Sequence, residues 1–398
     1  MADTSTPDGT APAATRAAVR LEQAGTLALF GMAAAVHFSI AAAQSLFAVS
    51  AFCWIALIVV RGERFSAPTF FWPLAVLGGL TLVSAAFSPQ PGVSFADTKQ
   101  LLLFLIVPVA YRFATTTRAS TMVTIAVSAA AASAAYGIFQ YSLLDYNDLG
   151  MRVRGTLGHW MTYSGLLMLV IAIALARILF GERDRVWAAL VMPALTVAVV
   201  VTFTRSALVG TCAAAAVLLF LKDFRLIALL PVAIAVCFTV APTSLTDRYI
   251  SIFDLTNATN RDRLAMLREG QRMVRAHPIV GVGPNMVEHL YQEYRDSGAV
   301  QEINPHLHNV PLQIAAERGL PALVAWLWFV AAVLLGLIRK LRAGHEVALS
   351  AAALAAMTSM LAAGLFEYNF GDSEFLMLLL LIITLPAAAG RTDTGDTA

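Results

Sequence analysis

The sequence is divided into about twelve apolar runs, each close to the roughly 20 residues that an α-helix needs to cross a bilayer. They fall at roughly 22–37, 43–60, 70–87, 98–113, 119–141, 160–180, 185–201, 205–221, 225–241, 319–340, 346–365 and 374–390. A membrane barrel would instead show alternating segments of about ten residues. Here the runs are unbroken and rich in Ala, Leu and Val, so they predict spanning helices. With 59% hydrophobic and only 13% charged residues, the chain departs from soluble domains, which carry about 25% charge. The expected fold is therefore all-α: a polytopic membrane protein with about 12 transmembrane helices and one long, partly helical loop. It divides into a disordered cytoplasmic tail (1–21), nine helices (22–241), a loop subdomain (242–318), three more helices (319–390) and a second cytoplasmic tail (391–398). The first twenty residues lack the charged region, short apolar core and cleavage site of a signal peptide, leaving the first span as the targeting signal.

Charge placement predicts the orientation. With the N-terminus inside, short inside loops hold 15 of the 27 Lys and Arg residues, and short outside loops hold only Lys99, Arg152, Arg154 and Arg205. The other cations lie in the long segment 242–318, and long loops are translocated largely regardless of charge. Both termini are thus expected in the cytoplasm and the long loop in the periplasm of a bacterial inner membrane. A formal net charge of +2, scattered over short loops, excludes nucleic acid as a partner. Cys53, Cys212 and Cys237 have no CxxC spacing and sit in apolar runs, where they are expected to be buried small hydrophobes.

The four outside cations break the bias that the other short loops obey. Lys99 begins the fourth span, Arg152 and Arg154 lie in MRVRGTLGHWMTYSG before the sixth, and Arg205 opens the eighth in TFTRSALVG. Snorkelling at a helix end accounts for any one of them. Together with loop arginines they are expected to line a cationic cavity for an anion such as a diphosphate. In NPHLHNVPLQIAAERGLPALVAWL, His306 and His308 alternate, Asn309 follows, and Glu317 precedes a Gly-Leu-Pro helix entry. The histidine pair could ligate a metal, but no third ligand is evident and none is expected; a histidine is equally fit to be a general base. His159 and Tyr163 near Arg154, and the hairpin FEYNFGDSEF with Glu367, Asn369, Asp372 and Glu374, are expected on the same face, the hairpin as a solvated turn.

Three segments, in order, resemble the O-antigen ligase and polymerase superfamily of integral-membrane glycosyltransferases. They are TFTRSALVG, the basic helix and turn RLAMLREGQRMVRAHPIVGVGPN, and HNVPLQIAAERGLPA, in which Ala322 stands where the family pattern has a second glycine after Gly319. The resemblance implies transfer of a glycan, with inversion, from undecaprenyl diphosphate to an acceptor hydroxyl, in ligases a sugar of the lipid A core. It needs no metal, cofactor or nucleotide-sugar, and its partners are the lipid-linked glycan, the lipid A-core acceptor and membrane lipids. His308 matches the signature histidine and would be the base, while Arg205 and Arg263 would hold the leaving diphosphate. Lys99, Arg152, Arg154, His159, Arg261, Arg268, His306 and Asn309 would complete the substrate site. An O-antigen polymerase or a periplasmic protein O-oligosaccharyltransferase is the alternative within the superfamily. A lipid-linked glycan transporter is the alternative outside it, disfavoured by spans nearly free of ionisable groups.

Overall fold

In a computed structural model, residues 13–181, 184–240, 242–254 and 256–391 are described. The helices are α1 (Ala13–Ala35), α2 (Ile40–Arg61), α3 (Phe71–Ala86), α4 (Pro91–Asp97), α5 (Ile106–Phe113), α6 (Thr116–Leu143), α7 (Trp160–Phe180), α8 (Arg185–Val200), α9 (Arg205–Lys222) and α10 (Leu229–Val240). After them come α11 (Thr243–Ile250), α12 (Ala258–Ala276), α13 (Met286–His289), α14 (Tyr291–Tyr294), α15 (Val310–Arg342), α16 (Val347–Ala363) and α17 (Ser373–Ala389). The chain is all-helical, with no strand among the described residues. Among the described residues, six helical segments are long and apolar enough to cross a bilayer, one of them the composite stretch Pro91–Phe113, and five further apolar helical segments are shorter.

Among the described residues each of the twelve apolar runs is helical, with three departures in outline. Helix α1 starts at Ala13, inside the segment expected as a disordered tail; residues 1–12 and 392–398 of the expected tails lie outside the described residues. The fourth run is not one helix but α4, a 3-10 stretch (Thr98–Leu105) and α5. Helix α15 begins at Val310, nine residues before the expected entry of the tenth span, because Asn309 caps it: its side chain accepts from Leu312 N at 2.9 Å. The expected boundary instead marks a kink, where Gly319 has φ 82 and ψ 169.

Helix α7 lies at the centre, against α8, α9 and α16. Small residues let these helices approach closely: a Cβ on Gly210 of α9 would collide with Met168 of α7 and the Ser359 carbonyl of α16. At one end of the bundle Arg61, Arg112 and Arg118 pair with Glu22, and Arg61 and Arg112 with Glu63. Only Cys53 is buried as expected; Cys212 is half-buried and Cys237 is exposed on α10, which packs on little besides α9 and the 3-10 turn before it.

The segment between α10 and α15 forms its own small core from Met266, Met273, Val282, Met286, Val287 and Leu307. It is locked to the kink of α15 by backbone hydrogen bonds: Val282 N donates to Ala316 O, Gly283 N to Glu317 O, and Leu320 N to Pro278 O. Gly281 (φ 70) and Gly319 supply the left-handed backbone this needs, and a Cβ on either would strike the other strand of the contact, the Glu317 and Ile279 carbonyls respectively. The turn glycines and the kink glycine are therefore two halves of one junction.

Candidate functional site

The junction holds the stretch just before α15 against the α16–α17 connection. Val310 N donates to Gly364 O at 2.7 Å, and Asn309 Nδ2 to Leu365 O at 3.1 Å. His308, between them, has φ 49, an uncommon conformation for a residue with a side chain and one that a non-glycine holds only when its surroundings fix it. That conformation presents its ring to Glu367, with Nδ1 and Oε2 at 3.0 Å. His306 packs edge-on against His308, ring centroids 4.2 Å apart, with its Nε2 at 3.8 Å from the other oxygen of Glu367.

Glu367 was expected in a solvated turn, and the structure corrects this. Phe370 and Tyr368 anchor the connection in the protein, leaving Glu367 and Asn369 only 8% exposed each. Burial works against the Glu367 carboxylate, yet His308, His306 and Arg263 outweigh it and hold its carboxyl down at about 2. Burial, reinforced by His308, holds the His306 imidazole down at about 4 against the pull of Glu367. At neutral pH the cluster is thus an ionised carboxylate beside a neutral His306. Since a carboxylate only accepts, a neutral His308 donates from Nδ1 and leaves Nε2 free to take a proton.

A cavity of about 220 Å³ opens beside His308. Arg205, Arg263, Asn260 and Asn309 line its polar part, and Leu264, Leu267, Leu307, Leu365 and Phe366 its apolar part. Arg205 stands at the first turn of α9 and is 4% exposed; its Nη1 donates to Ser251 O and Oγ at 3.1 and 3.3 Å, while its Nη2 is buried without a partner among the described residues. Arg263 comes from the amphipathic α12, whose start is tied to the same turn by Asn260 Nδ2 donating to the Ser251, Ile252 and Asp254 carbonyls. Arg248 and Arg152 lie within electrostatic reach of Arg205. Burial and then the charge of Arg248 push the Arg152 guanidinium down to about 10; burial and then Arg263 push Arg248 down. Mutually repelling, partly desolvated arginines beside an unsatisfied donor are arranged for a multiply charged anion.

The family comparison falls on this machinery: the O-antigen ligase profile matches residues 188–327, the stretch that contributes Arg205, Arg248, Arg263 and His308. The match supports assignment of this chain to the O-antigen ligase family. Among curated proteins, none matches it. The same match supports an enzyme of the membrane-glycosyltransferase, ligase or polymerase type.

Several predicted residues stand apart from the arginine cavity. Arg268 is exposed and points at Asp296, 3.4 Å away, and Arg261 is exposed. Lys99 is exposed on the 3-10 stretch and lines neither this cavity nor the one beyond His306. Arg154 is exposed and lies over the Tyr146 ring at 5.6 Å. Tyr163 is buried and donates to Ser133 O, and Glu317 is buried and paired with Arg318 at 3.1 Å. Asn309, which does line the arginine cavity, is at the same time the cap of α15. His159 caps α7, stacks on Trp160, and lines the second cavity, as does His306.

Two residues were not foreseen. Arg248 was hidden among the loop's eight basic residues, and Glu367 lies outside the matched stretch, 59 positions from His308. The alternation of Phe366, Tyr368 and Phe370 around Glu367 was the signal that its connection is packed. Glu367 also supplies the third ligand that the sequence lacked: one donor atom from each of His306, His308 and Glu367 lies within 4.8 Å of the others, a group able to hold a metal ion.

Proposed function

We propose that the protein is an O-antigen ligase that moves a glycan from undecaprenyl diphosphate to a sugar hydroxyl of the lipid A core at the periplasmic face of the inner membrane. The observation that carries this reading is the pairing of an arginine-lined, apolar-walled cavity with a histidine whose Nδ1 is held by a buried carboxylate, leaving Nε2 free. The apolar wall suits the start of a lipid, and Arg205 and Arg263, with Arg248 and Arg152 behind them, suit its diphosphate. His308 Nε2 takes the proton of the acceptor hydroxyl as its oxygen bonds to the anomeric carbon. The bond from that carbon to the diphosphate breaks from the opposite face, the departing oxygen keeps the electron pair, and the guanidinium groups hold the growing charge. Inversion follows from the single displacement. His306, neutral and in contact with both His308 and Glu367, orients the pair.

The test is transfer by detergent-purified protein given lipid-linked O-antigen and rough lipopolysaccharide, without nucleotide and in EDTA. Capped lipopolysaccharide supports the ligase. Polymer growth on the lipid carrier identifies a polymerase instead, and transfer that needs a restored divalent ion assigns the His306, His308 and Glu367 group to a metal.

A further inference from the structure

On the far side of the His306–Glu367 wall lies a second cavity of about 210 Å³, nearly equal to the first and opposite to it in character. Its polar lining is His159, Thr162, Glu367, Tyr368, Asn369 and Asp372, with the Phe375 ring beside them and no Lys or Arg. The arginine cavity, in turn, has no carboxylate in its lining. Two carboxylates facing one space repel phosphate. Carboxylates, a hydroxyl, a carboxamide and a phenol next to an aromatic ring match the hydroxyls and apolar face of a neutral sugar.

Two lining residues carry unsatisfied atoms: His306 Nδ1 and Asn369 Oδ1 are buried without a hydrogen-bond partner among the described residues. The remaining polar groups are already oriented: Thr162 Oγ1 donates to Asp372 Oδ2, and Asp372 Oδ1 caps α17 by accepting from Phe375 N at 3.0 Å. The site is therefore held rigidly by helix termini, His159 at α7 and Asp372 at α17.

We propose that this second cavity is the acceptor subsite, built for an uncharged terminal sugar, and that Asp372 and Glu367 reject acceptors phosphorylated on that sugar. The inference rests on the ligase reading above. His306 and His308 touch, their ring centroids 4.2 Å apart, so a sugar seated beside His306 has the width of one ring to bridge before a hydroxyl reaches His308. Donor and acceptor are thereby sorted by charge, the phosphate-bearing partner to the arginines and the neutral one to the carboxylates, which prevents either from occupying the other's place.

The test compares wild type with Thr162→Val and Asp372→Asn, using neutral rough lipopolysaccharide and the same acceptor phosphorylated on its terminal sugar. Asparagine keeps the cap of α17 and removes the charge; valine keeps the shape of threonine without its hydroxyl. Donor affinity, measured separately with lipid-linked glycan, reports that each variant is folded. The expected result is an acceptor KM raised about tenfold in both variants, the size of one lost hydrogen bond, with donor Kd unchanged. Asp372→Asn should also narrow the preference for the neutral acceptor. Unchanged acceptor KM and unchanged preference in folded variants overturn the subsite, as does a change confined to donor Kd. If wild type transfers to neither acceptor while binding donor, the ligase reading itself has failed, and the two failures are told apart.

Discussion

His308 and Glu367 share one 3.0 Å contact, and the charge of the carboxylate can be removed while its shape stays. Glu367→Gln is expected to lower the transfer rate by roughly tenfold to a hundredfold, part of the 10²–10⁴ that a general base contributes, and to leave donor Kd unchanged. An unaltered rate would mean that the carboxylate does not set the tautomer of His308. The same cluster makes the fold sensitive to acid, with a sign fixed by the shifts. His306 is held at about 4 against an ordinary 6.5, so as pH falls from 6.5 to 4 the unfolded chain takes up the proton first and stability drops. Glu367, held at about 2 against 4.5, contributes stability that is full above 4.5 and is lost between 4.5 and 2. Thermal unfolding in detergent should show both windows, and His306→Gln should flatten the upper one and, by removing one of the groups that hold the Glu367 carboxyl down, weaken the lower; an unchanged slope in the upper window would contradict the assignment. His308, Arg205 and Arg263 were legible as a set because each breaks an expectation or fits an ordered motif. Glu367 was not, since a polar hairpin residue reads the same in water as in a packed connection until its aromatic neighbours are placed.

At the scale of elements, the account turns on the junction between the Gly281–Gly283 turn and the kink of α15. Gly319→Ala puts a Cβ into the Ile279 carbonyl at φ 82 and is expected to cost roughly 2 kcal/mol or more, seen as a lowered Tm together with lost transfer. Gly336→Ala, later in the same helix with open space around its Cβ position, is the control and should be neutral or slightly stabilising. Equal effects at the two sites would remove the junction from the explanation. Helix positions followed from the length of the apolar runs, but the start of α15 did not: VPLQIAAER is too polar to read as part of a span, and its cap, Asn309, was read as a substrate-site residue. The broken fourth run escaped for the opposite reason, because apolar content alone does not distinguish a 3-10 stretch from an α-helix.

For the molecule as a whole, the proposed arrangement puts both chain ends in the cytoplasm and segment 242–318 in the periplasm. A cysteine at exposed Ser297 should then react with an impermeant reagent in cells with a permeable outer membrane, while one at exposed Arg64 should not; the reverse pattern would invert the topology and remove the site from its substrates. The all-helical fold was legible from the apolar runs because a bilayer demands them, whereas convergence of α9, α12 and two loops on one arginine cavity is a product of packing that no run of sequence displays. The central claim is that this cavity binds the lipid-linked donor and His308 performs the transfer. It is tested most directly by measuring donor Kd and single-turnover transfer on the same monodisperse preparation of His308→Ala. The account predicts a donor Kd within about twofold of wild type and a transfer rate lower by roughly 10²–10⁴; near-normal transfer by that variant would contradict it.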